Sequence, residues 1–278
     1  MPVAVPLVGT VKDTIEALLP LLTAKSDAKH LDRMTAHYRR ARSRLDKLAE
    51  ARPGSSPLHP QFVAATIDRL AAAHAVFTAD VGTPCIWTAR YVRMNGSRRL
   101  IGSFNHGSMA NALPQAIGAQ AAQPGRQVIT LSGDGGLAML LGELLTLRQQ
   151  HLPAKVVVFN NERRPVLRGA GDEGGRDCHL RHRPGQPGLR RDRPGRRAVR
   201  RGVEKAGELE DALRAAFSHD GAALVDVRTD RHELSLPPKL TYGEVKGFTL
   251  YATRTVLSGE AKELVELAKT NLRELDIE

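Results

Sequence analysis

The chain has 278 residues, enough for one large domain or two smaller ones. Hydrophobic residues make up 41% of it, sufficient for a core, and no run approaches the roughly 18–20 apolar residues that span a bilayer. The net charge of +11 suggests an acidic partner, but residues 162–201 hold thirteen arginines against five acids, so eight of those charges sit in one segment and whole-chain basicity says little about partners.

The elements follow in chain order. Residues 3–9, VAVPLVG, read as a short buried strand, and 12–22 as a short helix. Residues 29–50 are charged, with Leu31, Met34, Tyr38, Leu45 and Leu48 at helical spacing. The Pro-, Gly- and Ser-rich stretch 52–60 reads as a loop at a domain boundary. Residues 61–73 read as a helix burying Phe62, Ala65, Ile67 and Leu70, and 75–82, AVFTADVG, as a strand closed by Asp80 and Gly82. An Ala-rich helix over 110–122 precedes a buried strand running into a turn over 127–136, a helix over 137–150 and a strand over 154–161. Beyond the arginine-rich segment come a helix at 208–217, a strand at 222–230 and a mostly helical tail over 242–272, with Leu264, Leu267, Ala268 and Leu272 on one face. Strands alternating with helices predict an α/β fold, a parallel sheet flanked by helices.

The two cysteines, Cys85 and Cys178, offer neither a disulfide framework nor a zinc spacing. The N-terminus lacks a basic segment followed by a long apolar core, so a cytoplasmic protein is expected.

The informative unit is GDGG at 133–136, followed by NN at 160–161. Turns after parallel strands are where open α/β sheets bind ligands. Gly135 and Gly136 let backbone come close to a ligand at a helix N-terminus, where free N–H groups favour an anion. Asp134 supplies a carboxylate and Asn161 a neutral oxygen; with diphosphate oxygens, these suit octahedral Mg²⁺. The plainer alternative makes GDGG a simple strand-to-helix turn.

GDG followed by NN resembles the diphosphate-binding motif of thiamine diphosphate enzymes. Residues 85–120 and the tail 246–271, KGFTLYATRTVLSGEAKELVELAKTN, resemble one branch of them, the pyruvate oxidase and pyruvate:quinone dehydrogenase family. The resemblance implies thiamine diphosphate and Mg²⁺ as cofactors, with Asp134, Gly135 and Gly136 on the diphosphate and Asp134 and Asn161 on the metal. Gly107, Ser108 and Met109 would lie along the cofactor, Met109 as the apolar prop beneath the bent thiamine; the alternative is a core methionine. His106 is read as packing rather than catalytic. Asp80 and Gly82 are placed at the same sheet edge without an assigned role.

The same resemblance implies residues 1–35 as the remnant of a middle, FAD-type domain, 36–60 as a linker, 61–232 as the diphosphate domain and 233–278 as a helical tail. The pyrimidine-binding domain and most of the FAD site are then absent, so no turnover is expected from this chain alone. The intact family oxidises pyruvate, passes electrons to FAD and on to quinone or oxygen, and forms homo-oligomers. The tail, with Lys262, Lys269 and Arg273 beside its apolar stripe, suits either an interfacial helix at the inner face of the membrane or packing on protein.

Residues 162–201 fit neither neighbour. The family continues after NN with a run like FVxxEMK. Codons chosen for 166–173 and shifted by one nucleotide give SFVELEMK, and those for 179–197 give TFGTDLVNPDFAAIARAA. A pair of compensating frameshifts near Glu162 and Arg200 is the reading, with a disordered excursion between them. The alternatives are a subunit of a split thiamine enzyme and an arginine-rich nucleic-acid arm. No interleaved aromatic residues or reader motif support the arm, so no specific nucleic-acid partner is expected.

Overall fold

The computed structural model describes residues 4–51, 56–161 and 199–233, together with Val265, Thr270 and Asn271. The chain divides into two compact units, Met1–Arg44 and Leu45–Glu278.

The first unit contains α1 (Val11–Leu18), a 3-10 turn over Leu19–Leu21, and most of α2 (Lys29–Leu48). Thr10 caps α1, its hydroxyl accepting the Asp13 N–H at 3.1 Å. The buried strand expected at 3–9 does not form: residues 4–9 are non-strand and exposed, and Val8 is 99% exposed. An apolar run becomes a strand only where a neighbour completes its backbone ladder, and none of the described residues does so here.

The second unit is built on six strands: β1 (Val76–Ala79), β2 (Arg99–Ile101), β3 (Val128–Gly133), β4 (Lys155–Asn160), β5 (Val199–Val203) and β6 (Ala223–Arg228). Every pairing is parallel and the order is β2-β1-β3-β4-β6-β5, the expected sheet. The period of two along each strand feeds two cores. Val157 and Phe159 of β4 join Phe77, Ile129 and Leu131 against α3 (Pro60–Leu70), α4 (Thr83–Tyr91) and α8 (Ala206–Ser218). Val156 and Val158 join Val76 and Val128 against α5 (Ala112–Ala122) and α7 (Glu143–Gln149). Burial on both faces is why these strands read as continuous apolar runs.

Several expectations need correction. The α3 face is turned from the expected one: Val63, Ala64 and Ile67 are fully buried, while Phe62, Ala65 and Leu70 lie at the core margin. The helix expected at 137–150 is two helices, α6 (Asp134–Met139) and α7, broken at Leu140–Gly142. Residues 199–201, assigned to the disordered excursion, belong to β5, and regular pairing with β6 starts at Val199↔Ala223. The stretch 162–198 and the apolar stripe of the tail lie outside the described residues.

Candidate functional site

The C-terminal ends of β1, β3, β4 and β6 lie side by side, because parallel pairing puts all four at one edge. β3 passes directly into α6: Gly133 is its last residue and Asp134 the first helical one. GDGG therefore occupies the opening turn of a helix, where N–H groups are left free by the helical pattern.

Asp134 is half-buried. Burial raises its carboxyl above the ordinary range and the nearby Asp226 carboxylate adds to that, while the N–H groups of Gly135, Asp134 itself and Asn161 pull the other way. Asp226 in turn accepts the Asn160 side-chain amide at 3.1 Å. The structure thus brings Asp134 and Asn161 together, with a second carboxylate beside them. Among the described residues no group of three or more His, Cys, Asp or Glu forms a metal cluster; the candidate cation position rests on a carboxylate, an amide and whatever a ligand brings.

Gly107, Ser108 and Met109 lie on the exposed loop between β2 and α5. Gly107 has φ +68°, a conformation that favours glycine, and its N–H donates to the Ser103 carbonyl at 2.8 Å. The Ser108 carbonyl accepts the Val81 N–H at 3.4 Å and the Asn111 side-chain amide. Met109 is 44% exposed rather than a core methionine, and its Cε lies 3.8 Å from where a β-carbon on Gly135 would stand. The loop therefore meets the α6 turn at this side chain. His106 is exposed.

Sequence reasoning gave Asp80 no role, yet it sits at the centre of this edge. It is 2% exposed, and its Oδ1 accepts the Ala112 N–H, at the head of α5, at 2.9 Å. Burial pushes its carboxyl above the ordinary range, opposed by Ala112, Ser132 and Asn111. A methyl group on Gly136 would stand 2.5 Å from Asp80 Oδ2. The available signal was an acid directly after a buried strand, followed by a glycine two residues on.

A parallel sheet with a half-buried acid at the glycine-rich opening of a helix, and loops converging from neighbouring strands, defines an α/β domain built to hold an anionic cofactor. Residues 80–227 match the model of the thiamine pyrophosphate enzyme C-terminal TPP binding domain, and the chain belongs to that family. It is 31% identical over 257 residues to YdaP of Bacillus subtilis (strain 168), described as a thiamine pyrophosphate-containing protein, covering 92% of this chain and 44% of YdaP. It is 31% identical over 239 residues to the acetolactate synthase large subunit of Porphyra purpurea, covering 84% of this chain and 40% of that one. It is also 33% identical over 158 residues to acetolactate synthase isozyme 3 large subunit of Escherichia coli (strain K12), covering 56% and 28%. The chain spans less than half the length of these relatives. The relatives thus support the broader family of thiamine enzymes rather than the pyruvate oxidase branch in particular. No described helix is long and apolar enough to cross a membrane.

Proposed function

We propose that this chain supplies the diphosphate- and Mg²⁺-holding part of a thiamine diphosphate site in an enzyme acting on pyruvate. The observation that carries the reading is the Asp134 carboxyl, half-buried at the head of α6 with the Asn161 N–H turned toward it and Asp226 nearby. Two carboxylates in partial burial are better tolerated with a cation between or beside them. Asp134 and the Asn161 amide oxygen would hold Mg²⁺, and the backbone at Gly135 and Gly136 would take diphosphate oxygens. Gly107 and Ser108 would flank the cofactor, and exposed Met109 would give its ring an apolar seat.

The bound cofactor supplies carbanion stabilisation at its thiazolium ring. The residues of this chain neutralise and orient its diphosphate end. The resemblance at 85–120 and in the tail favours oxidative decarboxylation, with electrons passed to FAD and then to quinone or oxygen. Relatives named acetolactate synthase favour carbon–carbon bond formation as the second reading. In either case we propose that turnover requires a further polypeptide surface over the aminopyrimidine end, and that the working enzyme is a homo-oligomer. Peripheral membrane contact through the tail belongs to the oxidase reading alone.

Titration calorimetry with thiamine diphosphate and Mg²⁺ tests the site. Binding by the wild-type chain, weakened at least about tenfold by Asp134→Asn or by chelation, is expected. Equal affinity with and without the carboxylate would remove the reading. Product analysis on the assembled enzyme separates the two chemistries: acetate with a reduced acceptor supports the first, acetolactate the second.

A further inference from the structure

We infer that Asp80 is a positioning residue that sets the spacing between the Met109 loop and the Asp134–Gly136 turn. The inference rests on the thiamine diphosphate reading above and adds to it a residue that touches neither metal nor diphosphate.

Three observations meet at this side chain. First, Asp80 is fixed from behind. It directly follows β1, its N–H donates to the Leu131 carbonyl of β3 at 3.1 Å, and it is 2% exposed. Second, it holds α5 in place. Asn111, the residue before the helix, makes no side-chain cap; its amide goes instead to the Ser108 carbonyl. Asp80 Oδ1 fills that role from 32 residues away by accepting the Ala112 N–H. Third, its other oxygen presses on α6. Oδ2 has no well-formed hydrogen bond among the described residues, the Ser132 hydroxyl beside it included, and it lies against the bare Cα of Gly136.

One carboxyl group therefore joins the head of α5 to the first turn of α6. The loop that ends at α5 is the one carrying Gly107, Ser108 and Met109. Between Met109 and Asn111 stands Ala110, 4% exposed, with φ +63°. A left-handed alanine costs about 1 kcal/mol and persists only where its surroundings hold it. A methyl group on Gly136 would also lie 3.5 Å from the Ala110 N, so Asp80, Ala110 and Gly136 form one packed contact. Shifting Asp80 would release the loop and move Met109 away from Gly135. Asp134, held by the direct run of β3 into α6, and Asn161, which follows β4, would keep their places.

That division of labour predicts a split between two ligands. Calorimetry is run on the full chain with Mg²⁺ and either thiamine diphosphate or inorganic pyrophosphate, which lacks the ring. Asp80→Ala should weaken thiamine diphosphate about tenfold or more and change pyrophosphate by less than about threefold. Asp80→Asn keeps the Oδ1 acceptor and the volume, and should restore most of the lost affinity. Hydrogen exchange on the ligand-free chain gives a second readout: Ala112 N–H should lose protection in Asp80→Ala and keep it in Asp80→Asn. Equal weakening of both ligands, or of neither, overturns the assignment, as does failure of the asparagine to rescue. Should the wild-type chain bind neither ligand, the thiamine diphosphate reading fails and this inference with it. If the wild type binds both and only the split is absent, the positioning role alone fails.

Discussion

Replacing Gly136 with alanine places a methyl group 2.5 Å from Asp80 Oδ2, 3.1 Å from its Cγ and 3.5 Å from the Ala110 N. Ordinary contact begins near 3.4 Å, so the closest approach is short by roughly 0.9 Å. Asp80 has no free path aside: Oδ1 is held by Ala112 at 2.9 Å and the residue is buried. Overpacking of this kind costs about 1–3 kcal/mol. Against that stands about 1 kcal/mol of helix propensity gained when a helical glycine becomes alanine. The expected net loss of up to about 2 kcal/mol lowers Tm by up to roughly 8 °C for a domain of this size. Gly135→Ala is the internal control. Its methyl would sit 3.8 Å from Met109 Cε, an ordinary contact, so the ligand-free protein should gain up to about 1 kcal/mol while cofactor binding suffers. Urea denaturation of both variants, with Asp80→Ala added to the Gly136→Ala background, measures the effect. In that background the penalty at Gly136 should largely vanish. A Gly136→Ala protein as stable as Gly135→Ala, or a penalty indifferent to Asp80, refutes the packing argument.

Three further outcomes follow from the rest of the fold. Lys155 opens β4, is 4% exposed and donates to the His219 and Gly221 carbonyls at 2.5 and 2.7 Å; burial lowers its pKa to about 8, with Asp220 pulling the other way. Between about pH 8 and 10.5 the unfolded chain holds a proton that the folded one has shed, so stability should rise with pH there, by up to about 1.4 kcal/mol per pH unit. Lys155→Met should flatten that slope in denaturation curves taken across the window. Arg98, with its side chain 9% exposed, pairs with Asp68 at 2.5 Å, donates to the Asp68, Ala71, Ala72 and Arg93 carbonyls, and lies 5.5 Å over the Phe77 ring. Arg98→Ala should cost about 2–4 kcal/mol by urea denaturation, since it leaves several carbonyls without their donor and the Asp68 carboxylate with only the Arg93 N–H and guanidinium. Asp134→Asn should leave the ligand-free protein as stable or slightly more stable, because it removes a desolvated charge facing Asp226, even as cofactor affinity falls.

The sheet was legible because β1, β3 and β4 are buried on both faces, so VFTA, VITLSG and KVVVFN stand out as apolar runs, while ALVDVR alternates between buried and partly exposed positions. Each expected strand ran a residue or more beyond the observed one, since the flanking polar and glycine residues carry no signal for where pairing stops. β2 was missed: three residues at the sheet edge, alternately exposed and half-exposed, have too little pattern to read. VAVPLVG had the composition of a strand and lacked a neighbour, a condition no local sequence reveals. At the site, the motif named Asp134 and Asn161, and the structure places them together. Asp80 stayed silent because its role lies in contacts to residues 32 and 56 positions away, Ala112 and Gly136.

Both edges of the sheet are short and basic. β2 opens with the exposed Arg99, and β5 carries the exposed Arg201. An open parallel sheet leaves a row of backbone donors and acceptors at each side, a template on which another chain can add a strand. Two copies meeting there, edge to edge, would bring arginines against arginines over only three to five residues of pairing. The cost of that encounter opposes stacking into fibrils, so colloidal stability should decline as salt screens the guanidinium groups.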